Sequence, residues 1–387
     1  MSAVPLTVVA PEALPVPPIL GGAVQTWIAE LAPRIAARHP VTVVSPAHPD
    51  LPATETDAAG VRHVRVRPHG PRAVLPRIVP DRDAWRFRLA GEAHLHAARA
   101  ALRGTHGAVL VGNRAAFVPR LRALAPAARV LLRLDNLPLR DFDALARADA
   151  VLACSDFVAR AARAAAPEAH ALGVANGVDT ERLRPADPAR RAAARAALGL
   201  SDGPVVLFVG RFVEDKGVHL LLEAVPQVLA AHPAARFVLC GSAHFGLASA
   251  TDYERAVQAR AEALGPAVTL AGFVPPARMA DYWAAADVFC APAVWAEPFG
   301  LVYLESMASG VPCVGTRRGG IPEVVQDGET GLLLAGDPGP DAVAGALARL
   351  LGDARLRERM GAAGRRRVLE RFTWDTMADR VEHVLAD

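Results

Sequence analysis

The chain is almost without lysine: of its 43 basic residues, every one except Lys216 is arginine. The bias matches a wealth of alanine and reflects composition pressure over the whole chain, which makes the one surviving lysine a residue to explain. Excess charge of one sign is also lacking. A net +3 over 387 residues offers no case for a nucleic-acid partner. The small excess is uneven, with 21 arginines against 14 acids in residues 1–175 (+7) and 22 basic against 26 acidic residues in the remainder (−4). A basic first half facing an anionic partner or membrane surface explains this, and so do solvated helix faces.

Cysteine is scarce and scattered. Cys154, Cys240, Cys290 and Cys313 show no CxxC spacing, which excludes a short disulfide framework or a zinc knuckle and reads as reduced, buried thiols of a cytoplasmic protein. The N-terminal stretch lacks a basic region and is broken by prolines, so it does not read as a signal peptide. No run approaches the roughly 18 uninterrupted apolar residues of a membrane span. The expectation is a soluble protein with at most peripheral membrane contact. No repeat of 20 to 50 residues occurs, and 52% apolar with 21% charged residues is a globular balance.

What is present is an alternation of apolar runs and helical stretches. In the first half "LTVVA" (6–10), "VTVVS" (41–45), "AVLVG" (108–112) and "AVLACS" (150–155) are continuous, as in strands covered on both faces; "VRHVRVR" (61–67) and "VLLRL" (130–134) join them. Helices are predicted over 24–38, 82–103 and 157–165. The second half repeats the pattern, with strands at 205–210, 236–241, 268–274, 288–292 and 312–316, and helices near 217–230, 252–264 and 277–286. A last helical stretch covers 339–370. Between the halves, the Pro-, Ala- and Arg-rich segment 176–203 reads as a linker. The prediction is an α/β protein of two Rossmann-like, doubly wound domains, 1–176 and 177–372, facing a central cleft, with ligands outside the carboxyl ends of the strands.

Four turns after strands carry chemistry. In "FVGRFVEDKG" (208–217), Gly210 allows a sharp turn, Gly217 opens a helix whose free N–H groups suit an anion, and Arg211 and Lys216 add positive charge. This is a diphosphate clamp or an exposed polar turn. In "PILGGAVQTW" (18–27), Gly21 and Gly22 permit close backbone approach at a helix N-terminus or mark a plain loop; the stretch is neither GxGxxG nor a P-loop. In "WAEPFGLVYLESMASGVPCVG" (295–315), Gly300 bares the backbone of Phe299, Gly300 and Leu301 to a hydroxylated ligand. Glu297 precedes a helix there and Glu305 lies within it. A carboxylate on a buried helix needs hydrogen-bond donors, which ribose and sugar hydroxyls supply; the alternative is an acid favoured by the helix dipole and another on the solvent face. In "GTRRGGIPEVV" (315–325), Gly319 and Gly320 expose a further helix N-terminus.

Together "GRFVEDKG", "EPFGLVYLESMASGVPCVGTRRGGIPEVV", "NGVD" (176–179) and the aromatic-containing final helix resemble the retaining glycosyltransferases of family 4, with the GT-B fold, over essentially the full chain. "PPILGGAVQTWIAEL" and "SPAHPD" are similar to the branch of spore-coat-associated and natural-product glycosyltransferases. The resemblance implies that Arg211 and Lys216 hold the diphosphate of a nucleotide sugar. It also implies that Glu305 accepts from the ribose, that Glu297 with the Phe299–Leu301 backbone holds the sugar, and that the Gly21–Gly22 loop caps the diphosphate. By the same resemblance, the helix from about 373 to 387 is expected to return to the first domain, closure to assemble the site, and transfer to proceed without a metal or other cofactor, retaining anomeric configuration by front-face attack within an ion-pair-like intermediate.

The expected partners are a nucleotide sugar, with uridine as base and a hexose or N-acetylhexosamine as sugar, and a hydroxylated acceptor: a small molecule, a glycan or a lipid-linked molecule. Where many relatives carry a histidine after the strand "VLLRL", this chain has Asp135, followed by Asn136. Asp135 accepts a hydroxyl or acts as a base, or caps the following turn. Asn113 and Arg114 are candidate acceptor ligands, the irregular Arg-rich segment 67–88 borders the acceptor, and His94, His96 and His106 read as solvated. Two alternatives share the architecture, a nucleotide-sugar 2-epimerase and a non-catalytic coat or complex component.

Overall fold

The computed structural model describes residues 3–20, 22–68, 84–138, 140–200, 202–243 and 251–386, with the backbone alone for 84–88. The chain divides into two compact units, Met1–Asn176 with Trp374–Asp387, and Gly177–Thr373.

In the first unit the strands are β1 (Leu6–Val9), β2 (Val41–Pro46), β3 (Thr54–Thr56), β4 (Arg62–Val66), β5 (Gly107–Gly112), β6 (Ala128–Leu134), β7 (Ala150–Ala153) and β8 (Ala171–Gly173). They form one eight-stranded sheet in the order β3-β4-β2-β1-β5-β6-β7-β8, parallel except for the β3–β4 pair. The register runs Leu6 to Val41 on one side of β1 and Leu6 to Ala108 on the other. Because the order reverses between β1 and β5, the loops after these strands open a crevice at the carboxyl edge. The helices here are α1 (Ala23–Ala36), α2 (Ala84–Leu102), α3 (Val118–Leu124), α4 (Phe142–Ala146) and α5 (Asp156–Ala165).

The second unit holds α6 (Pro188–Ala197), β9 (Val205–Val209), α7 (Val218–Ala231), β10 (Arg236–Cys240), α8 (Asp252–Ala263), β11 (Val268–Gly272), α9 (Met279–Ala285), β12 (Val288–Cys290) and α10 (Leu301–Ala308). It continues with β13 (Cys313–Thr316), α11 (Ile321–Val324), β14 (Gly331–Leu334), α12 (Pro340–Gly352) and α13 (Ala354–Arg371). Its all-parallel sheet has the order β11-β10-β9-β12-β13-β14. This is the doubly wound order of a dinucleotide fold, with its switch point between β9 and β12.

The final helix, α14 (Trp374–Ala386), belongs to the first unit. It buries Met377, Val381, Val384 and Leu385 in one cluster with Trp27, Ile28, Leu31 and Ile35 of α1. Burial stabilises by about 1.5–3 kcal/mol for each such side chain, which outweighs the exposed ion pair of Arg34 with Asp375 at 2.6 Å, worth about 0.2–1 kcal/mol.

Several expectations are corrected. The segment 176–203 is not a linker: it contains α6, started by Pro188 and capped by Asp187 Oδ1 accepting from Arg190 N at 2.8 Å. Arg195 of that helix reaches Asp287 Oδ2 at 2.5 Å, and the same oxygen accepts from Val205 N at 2.7 Å, so the helix is tied to the start of β9. The stretch 339–370 is two helices, because Asp353 leaves helical geometry and its carboxylate accepts from Leu356 N at 2.9 Å, starting α13 afresh. His94 is not solvated. It is 1% exposed on the inner face of α2, burial pushes its imidazole down to about 4, and Nε2 has no hydrogen-bond partner. All four cysteines are free and buried, and among the described residues no helix is long and apolar enough to cross a membrane.

Candidate active site

The second unit gathers its chemistry at its switch point. After β9 the chain makes one 3-10 turn over Glu214–Lys216 and enters α7 through Gly217, whose φ of 69° is left-handed. A Cβ on Gly217 would lie 2.0 Å from Pro292 O, so only glycine lets this turn rest against the loop after β12. Val294 N donates to Asp215 O at 2.9 Å and joins the two loops directly. The chain bends at Gly210 as expected, but no left-handed φ requires glycine there, and an added Cβ would meet nothing nearer than Phe208 at 3.4 Å.

Joining these loops brings Lys216 and Glu297 together. Lys216 Nζ lies 2.5 Å from Glu297 Oε2, the same oxygen accepts from Trp295 Nε1 at 3.0 Å, and Nζ sits 5.0 Å from the centre of the Trp295 ring. Arg211 is exposed and has no ion-pair or hydrogen-bond partner among the described residues. Gly319 and Gly320 serve this loop instead of exposing a helix end. A Cβ on Gly319 would fall 2.1 Å from Glu297 O, one on Gly320 would fall 2.4 Å from Pro298 O, and Gly320 N donates to Glu297 O at 2.7 Å. The two glycines thus hold the backbone that carries Glu297.

Helix α10 starts at Gly300, left-handed at φ 94° and without a side-chain cap; Tyr303 N donates back to Gly300 O at 3.0 Å, which leaves the N–H groups of Leu301 and Val302 with their donor capacity. Phe299 is buried, with its ring packed edge-on to Phe372 at 6.2 Å. One turn into the helix Glu305 is half-buried. Burial pushes its carboxyl up to about 7, while the Arg182 charge and the neighbouring Trp283 indole pull it down. Trp283 Nε1 is itself buried and completes no hydrogen bond. A carboxyl in this setting lacks donors of the kind a vicinal diol supplies.

In the first unit β6 delivers Asp135 and Asn136. Arg133, fully buried, donates from Nε to Asp135 Oδ1 at 2.9 Å, from Nη1 to Val174 O at 2.7 Å and from Nη2 to Asn176 Oδ1 at 2.5 Å, and it stacks on Trp27 at 4.7 Å. Asn113, at the end of β5 with φ 49°, accepts through Oδ1 from Asp135 N at 3.1 Å. Asp135 Oδ2 is buried without a partner, and Asn136 is exposed. Arg114 is engaged in a two-pronged pair with Glu12, one contact at 2.9 Å, and lies over Phe117. Gly22 caps α1 at φ 108°, with Gln25 Oε1 only 2.3 Å from where a Cβ would sit. Gly21 and residues 69–83 of the Arg-rich segment lie outside the described residues.

Sequence reasoning gave no role to Arg133, Glu12 and Trp295, and noted Asn176 only within the NGVD motif. An arginine inside the apolar run "VLLRL" was the available signal for the first, since a charge in a doubly covered strand requires a counter-charge.

Residues 190–367 match the family model described as Glycosyl transferases group 1, and residues 20–182 match Glycosyltransferase Family 4. Spore coat protein SA of Bacillus subtilis is 31% identical over 391 residues, covering 97% of each chain. A GDP-mannose-dependent alpha-(1-6)-phosphatidylinositol monomannoside mannosyltransferase of Mycobacterium tuberculosis is 33% identical over 392 residues, covering 95% of each. In fold, sucrose-phosphate synthase from Thermosynechococcus elongatus aligns with a TM-score of 0.82 over 98% of both chains at 24% identity. Anabaena Alr3699/HepE in complex with UDP-glucose aligns at 0.76 over 99% of both at 18%.

Two parallel α/β units of this kind define the GT-B class. The chain belongs to the family-4 glycosyltransferases, in the branch of spore coat protein SA, and is a transferase that takes its sugar from a nucleotide sugar.

Proposed function

We propose that the chain transfers a hexose or N-acetylhexosamine from a nucleoside diphosphate to an acceptor hydroxyl with retention of anomeric configuration and without a metal. The observation that carries the reading is the meeting of Lys216 and Glu297 at the β9/β12 switch point, where a diphosphate and a sugar would lie side by side. Arg211 and Lys216 take the diphosphate and offset the charge that develops as it leaves; the start of α7 adds little, since His219 N donates to Tyr253 Oη at 3.3 Å and Leu220 N to Gly217 O at 3.1 Å. Glu297 and the backbone at Phe299, Gly300 and Leu301 hold the sugar. Glu305 accepts from the ribose hydroxyls.

The first unit takes the acceptor. Asp135, kept in place by Arg133, offers Oδ2 to a hydroxyl, with Asn113 and Asn136 beside it on neighbouring strand ends. Arg114 contributes through its pair with Glu12 and not as a lone cation. Acceptor candidates are a small molecule, a glycan and a lipid-linked molecule. Uridine is the first candidate for the base; the full-length relatives whose names specify GDP-mannose favour guanosine as the second.

Thermal-shift titration with UDP, GDP, ADP and TDP and their common sugars, with and without EDTA, tests this reading. Selective stabilisation that survives EDTA is expected. A chain that responds to none of them overturns it, and one that converts the donor sugar without acceptor is an epimerase instead.

A further inference from the structure

In that reading Lys216 serves phosphate and Glu297 serves sugar, yet the two are bonded to each other. Each gives part of its bonding capacity to the other while the bond stands. The ammonium is neutralised where phosphate charge must arrive, and Glu297 Oε2 is occupied twice over. The third party is Trp295, which presents its N–H edge to the carboxylate and its π face to the ammonium. One stiff side chain therefore contacts both charged groups through different parts of its ring. The backbone bond from Val294 N to Asp215 O fixes the residue before Trp295 to the residue before Lys216, so the three side chains are held in register. Lys216 and Glu297 are 22% and 16% exposed, open enough for a ligand to reach.

We infer that the Lys216–Glu297 bond is an exchangeable pair that a nucleotide sugar opens, and that Trp295 is the positioning residue that orients both partners for it. The diphosphate becomes the counter-charge of Lys216, a sugar hydroxyl becomes the donor to Glu297, and the indole keeps each side chain at its station. The inference rests on the donor reading above. It has a consequence for selectivity. A nucleoside diphosphate without sugar draws Lys216 away and leaves the carboxylate with the indole N–H alone, whereas a nucleotide sugar supplies a partner to each.

The test is calorimetric titration of the full chain with UDP and UDP-glucose and with GDP and GDP-mannose, on wild type, Glu297→Gln, Trp295→Phe and Trp295→Leu. Glu297→Gln has no charge pair to open, so it is expected to bind the nucleoside diphosphate about 3–10-fold more tightly than wild type while gaining nothing for the nucleotide sugar. Trp295→Phe keeps an aromatic face and loses the N–H; it should weaken the nucleotide sugar about 3–10-fold, leave the nucleoside diphosphate within about 2-fold, and lower kcat. Trp295→Leu should show the same selective loss with a weaker hold on both ligands. Trp295 is half-buried, and melting temperatures check that each variant is folded. If Glu297→Gln gains nothing for the nucleoside diphosphate, or if Trp295→Phe leaves the ratio of the two affinities unchanged, the inference is overturned while the donor reading stands. A wild-type chain that binds neither form removes both.

Discussion

Each unit sets a cation against a carboxylate near the carboxyl end of its sheet, Arg133 within β6 and Lys216 in the turn after β9, and the two pairs are built to opposite ends. In the first unit the Arg133 side chain is 0% exposed and spends its donors on Asp135, Val174 O and Asn176, with Trp27 covering its face. In the second unit Lys216 keeps three rotatable N–H groups and engages one carboxylate, at 22% exposure. A planar fork with every direction occupied is a fixed part of the structure; a point charge with donors to spare is one a ligand can claim. Burial and hydrogen-bond count, not the presence of opposite charges, separate the structural pair from the functional one.

The largest effect should come from breaking the fixed pair. Arg133→Met leaves Asp135 as an uncompensated, mostly buried carboxylate and removes the donors to Val174 O and Asn176, a loss of about 3–5 kcal/mol. Urea unfolding monitored by circular dichroism measures it, and adding Asp135→Asn should restore part of the loss. A change below about 1 kcal/mol would mean that the pair is not structural.

Lys216→Met should invert that pattern. Stability should fall by about 1–3 kcal/mol, less than for Arg133→Met, because Glu297 keeps the Trp295 N–H as a donor and no buried backbone carbonyl loses its partner. Transfer, measured as kcat/KM with the nucleotide sugar found by titration, should fall about 100-fold, the scale of losing one preorganised charge at a developing anion. Equal destabilisation by Lys216→Met and Arg133→Met would erase the distinction between the two sites.

The same contrast decides what could be read from the sequence. Parallel strands covered on both faces are continuous apolar runs, so β1, β2, β5, β7 and β9 stood out. The three-residue strands β3 and β8 and the five-residue helix α4 carry too few residues for a period to show. Helix α6 was obscured by composition: its Pro and Arg residues suggest a linker until Asp287 is seen to hold two of the arginines. Likewise Lys216, Glu297 and Glu305 were visible because glycines and strand ends framed them. The partnership of Arg133 with Asn176 spans 43 positions and depends on β6 and the end of the first unit meeting in space. Local pattern identifies a loop that can bind; long-range pairing, which determines whether its charges are free to do so, requires the fold.

Glu305 sharpens the comparison through pH. Its ordinary value is 4.5 and burial pushes it up to about 7, so the folded chain holds this proton more tightly than the unfolded chain does. The sign follows: the stabilising contribution of the protonated group is fully present below about 4.5 and is lost as pH rises through about 7. Glu305→Gln removes that slope and should be more stable than wild type at pH 8 by about 3 kcal/mol, read from unfolding at pH 5 and pH 8. Binding should run the other way. Ribose hydroxyls donate to the ionised carboxylate, so affinity for a nucleotide sugar, whose diphosphate does not titrate in this range, should rise from pH 6 to pH 8 in wild type. In Glu305→Gln it should be weaker, by roughly 10-fold at pH 8, and flat across the range. Parallel pH profiles in the two proteins would place the ribose elsewhere and leave Glu305 a half-buried acid of the α10 helix with a structural role only.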